Sequence, residues 1–250
     1  MSKHQKIVIH GIEEGRRLET RVLEERIQAA LAGGFRHIEV HAHGQHGIGG
    51  RLWALGGEAV RVDIHGQPGQ RVGAMGTPGT RIEVHGSASD DVGWLNAGAT
   101  IVVHGHATNG TANAMAQGKI YIAGDIGARG MTMTKSNPRF QPPELWVLGG
   151  AGDSFAEFMA GGIAVVCGLN SHYRNSILGH RPCVGMVGGT IFFRGTLEGF
   201  SHGDARLKNL DEEDWQWLVT GMREFLGAIG REELLDELTS DRSQWRLLRA

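Results

Sequence analysis

The 250-residue chain is poor in cysteine, with only Cys167 and Cys183, and no C-x-x-C pair. A zinc or iron–sulfur site built by this chain alone is therefore not expected, and reduced thiols fit a cytoplasmic setting. Long apolar runs are absent too: none approaches the roughly 20 residues of a membrane span. Met1-Ser2-Lys3-His4-Gln5-Lys6 leads into just three apolar residues, unlike a secretory signal. The formal net charge is only −2, so no basic excess points to nucleic acid or an anionic membrane. No Lys-Ser/Thr follows the glycines of His43-Gly44-Gln45-His46-Gly47-Ile48-Gly49-Gly50, which excludes a P-loop. Gly152-Asp153-Ser154-Phe155-Ala156 is not a nucleophile elbow. Asp90-Asp91 reads as a turn rather than as the groove-flanking carboxylates of glycoside cleavage.

Glycine, by contrast, is abundant, at 40 residues, without the G-X-Y period of collagen. It falls in a rhythm. Val60 to Gly66, Arg81 to Gly86, Ile101 to Gly105 and Ile120 to Gly124 are short β-branched runs, each closed by a glycine. β-Branched alternation favours a strand with one buried face, and glycine turns a sharp corner without steric cost. A second glycine, Gly73 or Gly93, is followed two residues later by Met75 or Leu95, read as an inward apolar plug, with Met115 and Phe158-Met159 in the same slot. A period of about 20 residues points to stacked units that bury together what none can bury alone. The expected class is an all-β solenoid of about seven coils.

Before the repeat, Lys6 to Gly11 reads as a lone strand, and Leu18 to Leu31 as a helix capped near Thr20 and stopped by Gly33-Gly34. Residues 1–35 thus form an N-terminal strand and capping helix, and 36–200 the repeat. Two insertions interrupt the repeat: Met131 to Leu145, with Pro138, Pro142 and Pro143, and Leu169 to Val184. Residues 201–250 read as a helical tail, with acids from Asp211 to Asp214 in a first turn and an apolar stripe from Trp215 to Leu226. His41, His65, His85 and His104 share one slot and should stack as a ladder. A ladder spaces imidazoles in parallel and does not converge them on an ion, so no metal site is expected. A free-standing histidine metal binder or enzyme is the competing reading.

The stretches Gly69 to Met75, Gly152 to Val166 and Val184 to Ile191 resemble the GXGXG domain at the C-terminus of the glutamate synthase large subunit. With the flanking helices, the chain is similar to separate-subunit forms of that domain. One of the subunits of formylmethanofuran dehydrogenase shares the repeat. It supplies the alternative, the β-helix subunit of a formylmethanofuran dehydrogenase or formyltransferase complex. Ala112-Asn113 and Ala156 depart from the corner glycines, so less regular coils are expected there. The resemblance implies a right-handed parallel β-helix that carries no catalytic, cofactor-binding or metal-binding residue. Ser2 stands where a class II glutaminase would need its N-terminal cysteine, and no strand–helix alternation could build a flavin-binding barrel. The implied role is a non-catalytic scaffold for a class II glutaminase subunit and a flavin-dependent synthase subunit, with FMN and the iron–sulfur cluster on those partners. A homo-oligomer is compatible with it. Because insertions on rigid frames carry function, Arg139, His172, Tyr173, Arg174 and Arg181 are the expected docking residues.

Overall fold

The structure, a computed structural model, describes residues 6–52 and 58–250. Ser2, and the parts of the expected N-terminal and repeat regions at 1–5 and 53–57, lie outside the described residues. The chain runs β1 (Lys6–His10), β2 (Ile12–Glu13), β3 (Arg16–Arg17), α1 (Thr20–Ala32), β4 (His37–His43), β5 (Val60–Gln67), β6 (Thr80–Val84), β7 (Ala97–Val103) and β8 (Gln117–Ile122). It continues with β9 (Glu144–Val147), β10 (Ala160–Val166), β11 (Gly188–Arg194), β12 (Arg206–Asn209), α2 (Glu212–Ile229), α3 (Leu235–Thr239) and β13 (Trp245–Arg249).

These elements correct the expected class. Eleven strands form one sheet in the order β1-β4-β5-β6-β7-β8-β9-β10-β11-β13-β12, with helices beside it, an α/β-like arrangement. The only other sheet among the described residues is the β2–β3 hairpin, so the further sheets that would wall a β-helix of seven coils are not there. The reason lies in the connections, which are runs of turns with left-handed residues and leave one strand per unit. Nor is β1 a lone strand, since it pairs in parallel with β4. The segment read as a helical tail supplies two strands, β12 and β13, and β13 closes antiparallel onto β11. Their short runs, Arg-Leu-Lys-Asn and Trp-Arg-Leu-Leu-Arg, carry no corner glycine to announce them.

Register explains the two faces. Ile38, Val62, Ile82, Ile101, Ile120, Leu145, Ala164, Ile191 and Leu248 pair in succession, as do Val40, Ile64, Val84, Val103, Ile122, Val147, Val166 and Phe193. All are buried, and they pack against turn residues such as Val72, Val92, Ala112 and Met131 in one core. α1 joins that core through Leu23, Ile27, Ala30 and Leu31.

Because successive strand residues point to opposite faces, the residues between these rows face outward. Glu39, Asp63, Glu83, Val102, Tyr121, Trp146, Val165 and Phe192 form one row, acidic through β6 and apolar from β7 onward. The apolar half is covered by α2. Asp211 caps this helix by a capping box with Asp214, and Leu218, Met222, Phe225, Leu226 and Ile229 face the sheet at helical spacing. Trp217 stacks on Phe192 and Trp146, while Phe225 meets Trp146 and Tyr121. Gly221 lets the helix backbone approach the Trp146 ring, which would occupy the space of a Cβ there. Among the described residues no helix is long and apolar enough to cross a membrane.

Candidate functional site

Three features of the surface carry chemistry: the polar half of the outer face, a carboxylate clamp at the second insertion, and the left-handed turns.

On the polar half, the expected histidine ladder forms and gains a fifth ring. His10, His41, His65, His85 and His104 follow one another with ring centroids 4.9, 5.4, 4.3 and 5.5 Å apart. Beside them run the carboxylates of Glu39, Asp63 and Glu83. Asp63 accepts from Arg61 at 2.8 Å, His37 Nε2 at 2.5 Å and His85 Nε2 at 2.9 Å. His104 Nε2 lies 2.9 Å from Glu83, and His41 Nε2 2.9 Å from Glu39. His41, His85 and His104 thus each meet a neighbouring acid in parallel, and the rings do not converge on a shared centre. Burial opposes ionisation of Asp63 and Glu83, but their bonds to Arg61 and the histidines outweigh it and hold both carboxyls below the usual range. Bonds from Lys6 and His41 bring Glu39 down to about 2.

Burial, with His85 beside it, pushes His65 down instead. A histidine whose folded value is depressed leaves the unfolded chain to take the proton first, so its stabilising contribution is lost as pH falls through about 6.5. The depressed carboxylates contribute above about pH 4 and lose that contribution only below it. The unfolding midpoint is therefore expected to fall by about 1–2 °C between pH 7.5 and 5.5, and His65→Gln to flatten that slope. Calorimetric scans across the window check this; a flat or rising midpoint in the unsubstituted chain is the contrary result.

At the second insertion, Asp125 is buried and holds a loop that comes 47 residues later. Its carboxylate accepts the Gly150 N–H at 2.7 Å, the His172 N–H at 3.1 Å and His172 Nδ1 at 2.6 Å. Burial would raise this carboxyl, but the backbone donors of Gly150 and His172 outweigh it and keep it below the usual range. His106 completes a His106–Asp125–His172 group whose potential ligand atoms lie within 4.8 Å of one another. The lone pair on His106 Nδ1 already accepts the Asp125 N–H at 2.9 Å, which places the ring proton on Nε2. His46 does the same for the Gln70 N–H at 3.0 Å. These corner imidazoles serve the next turn's backbone, and Asp125 is spent on the loop, so the group reads as a clamp. Sequence reasoning missed Asp125, whose one signal is its place directly after the corner glycine Gly124.

Of the expected docking residues, His172, Tyr173 and Arg174 line one shallow concavity with Asp153, His180 and Glu198. Arg139 lies exposed in the proline-bearing loop, and Arg181 is exposed at the head of a later turn; neither lines that concavity.

The turns between strands share one backbone pattern. Residues at alternate positions adopt positive φ in seven successive turns: Gly47/Gly49/Arg51, Arg71/Gly73/Met75, Asp91/Gly93/Leu95, Gly110/Ala112/Ala114, Arg129/Met131/Met133, Ser154/Ala156/Phe158 and Arg181/Cys183/Gly185. Their N–H groups point alternately along the stack. Arg71 donates forward to Asp90, Gly73 backward to Ile48, and Met75 forward to Trp94. The later turns repeat the scheme, as in Asp91 to Asn109, Gly93 to Val72 and Leu95 to Asn113. Glycine is the unstrained residue for such positions, and three alternating positions spell Gly-x-Gly-x-Gly. A family profile described as the GXGXG motif matches residues 45–207, from just before the first of these turns to the start of β12. The chain belongs to the GXGXG motif family. No curated protein matches it.

Within this GXGXG fold, two expectations are corrected. Ala112 and Ala156, with φ of 62° and 58°, keep the conformation of Gly73 and Gly93, at 67°, so the turns there stay regular. The supposed inward plug also divides. Met115 and Met159 are buried, but Met75 is only half-buried and Leu95 and Phe158 are exposed. Leu95 is matched in register by Ala114, since both donate forward, to Asn113 and Thr132. The third left-handed column of the GXGXG turns therefore faces solvent, and Met133 and Phe158 are more than half exposed, at 52% and 53%.

Proposed function

We propose that this GXGXG chain is a non-catalytic scaffold subunit of a glutamate synthase-like complex in the cytoplasm. Family membership over 45–207 carries this reading. In it, the chain holds a class II glutaminase subunit and a flavin-dependent synthase subunit, and FMN and the iron–sulfur cluster belong to those partners. The separate-subunit form, and association into a homo-oligomer, are part of the proposal. Physical support comes from rigidity and display: turns locked to both neighbours by alternating N–H directions hold the second insertion and the exposed apolar column in fixed places.

Purification of the tagged chain from its native source, with mass spectrometry of co-eluting chains, tests it. A glutaminase and a flavin-bearing synthase are expected in amounts comparable to the bait. Elution alone, or with a molybdopterin or tungsten subunit and an amidohydrolase, overturns it; the second result assigns the chain to a formylmethanofuran-type complex instead.

A further inference from the structure

We propose that the outward column of the GXGXG turns is a docking ridge for an amphipathic, acid-flanked α-helix of a partner chain. The starting observation is a double cost without a visible return. Met75, Leu95, Met133 and Phe158 are non-glycine residues held at φ of 54°, 55°, 56° and 54°. A left-handed L-residue carries a steric cost that glycine would avoid. Three of these four side chains are exposed apolar groups, which solubility also disfavours. Neither folding nor solubility accounts for large apolar residues there, whereas a contact surface does. Val187, 76% exposed just beyond the last turn, extends the apolar ground.

The spacing selects the occupant. Neighbouring strands, and hence the turns locked to them, repeat about every 4.8 Å, close to the 5.4 Å pitch of an α-helix. A helix laid along the ridge would set one apolar residue per turn against each side chain. The molecule already contains such an arrangement: α2 lies across β11 to β8, its Trp217 on Phe192 and Trp146 and its Phe225 on Trp146 and Tyr121. Charge selects the flank. Arg129 and Arg181, in the same turns, and Lys135, just after one of them, form no ion pair among the described residues; of the nearby carboxylates, Asp204 is taken up by the Gly185 N–H. Asp91 is paired with Arg71 at 3.6 Å, and the Arg71 guanidinium lies over Trp94. Carboxylates along the docking helix would meet these free cations.

The inference rests on the scaffold reading only in requiring a partner chain. Its test places a photo-reactive phenylalanine analogue at Leu95, Phe158 or, as an off-ridge control, Val8, in the full chain in its native host. The expected result is cross-linking from Leu95 and Phe158, and not from Val8, to one segment of another chain. That segment should have apolar residues every three to four positions and Asp or Glu beside them. Paired Arg129→Glu and Arg181→Glu substitutions should lower the yield about tenfold without shifting the thermal midpoint. No cross-link, a cross-link to a second copy of this chain, or one to an extended or basic segment overturns the ridge. Co-purification of glutaminase and synthase without ridge cross-links would remove this inference alone. Ridge cross-links to an unrelated enzyme would remove the scaffold reading alone.

Discussion

Gly179→Ala is expected to be among the most damaging single-methyl changes in the described residues. Gly179 has φ of 66° and is buried where the second insertion crosses the turn at Gly152-Asp153. A Cβ there would strike only backbone: the carbonyl carbon and oxygen of Gly152 and the nitrogen of Asp153. That backbone is fixed by the neighbouring bonds, since Asp153 accepts the His180 N–H at 2.9 Å and Ser154 donates to the His180 carbonyl at 2.9 Å. Left-handed strain of about 1–2 kcal/mol and overpacking of about 1–3 kcal/mol give a loss of about 2–5 kcal/mol. For a chain of this size that lowers the unfolding midpoint by about 10 °C. Gly230→Ala separates the two causes. Gly230 ends α2 at φ of 68° with nothing within 4 Å of a Cβ, so only the strain applies. Calorimetry of both variants checks the difference; equal midpoints would mean that the crossing gives way.

The same left-handed conformation explains what could be read in the sequence. The repeat was legible wherever glycine marks it, as at Gly73 and Gly93, and the aliphatic strand rows followed from alternation. Sequence alone makes the two insertions too long for the complementary reason. Met131 and Met133, and Arg181 and Cys183, take left-handed positions without glycine. The first insertion therefore leaves the regular turn only after Lys135, and the second returns to it by Arg181. The outward set of the Met75 and Leu95 column was hidden as well, because an apolar residue after a corner glycine normally signals a core. A strand pattern also does not say what covers its second face. That face changes from Glu39, Asp63 and Glu83 to Val102, Tyr121 and Trp146 along one row, and the change becomes visible only once register sets these residues side by side. The family and the stacked histidines were within reach of sequence reasoning; the single sheet with its antiparallel closing strands was not.

Asp125→Ala should release the second insertion while leaving the sheet in place. Three donors converge on this carboxylate, and among the described residues it is the one acidic side chain tying His172 to the body of the protein. Removing it strands the buried Gly150 N–H, a cost of about 1–3 kcal/mol, and forfeits charge-assisted bonds worth about 1.5–3 kcal/mol. Solvent reaches His172 readily, its side chain being 80% exposed, so its two donors recover much of their loss from water. The net effect should be about 2–3 kcal/mol, concentrated in residues 169–176. Hydrogen exchange is the suitable measurement: amides of 169–176 should exchange about tenfold or more faster, with β7 and β8 unchanged. Because the folded carboxyl sits below its ordinary value, wild-type protection of this loop should persist at neutral pH and fade as pH drops below about 4. The alanine variant should be insensitive to that change. Uniform acceleration across the sheet would show instead that Asp125 belongs to the global core. Unaltered exchange at 169–176 would show that the clamp does not hold the loop. Either result would redraw the surface that presents His172, Tyr173 and Arg174, since their relative placement rests on this anchor.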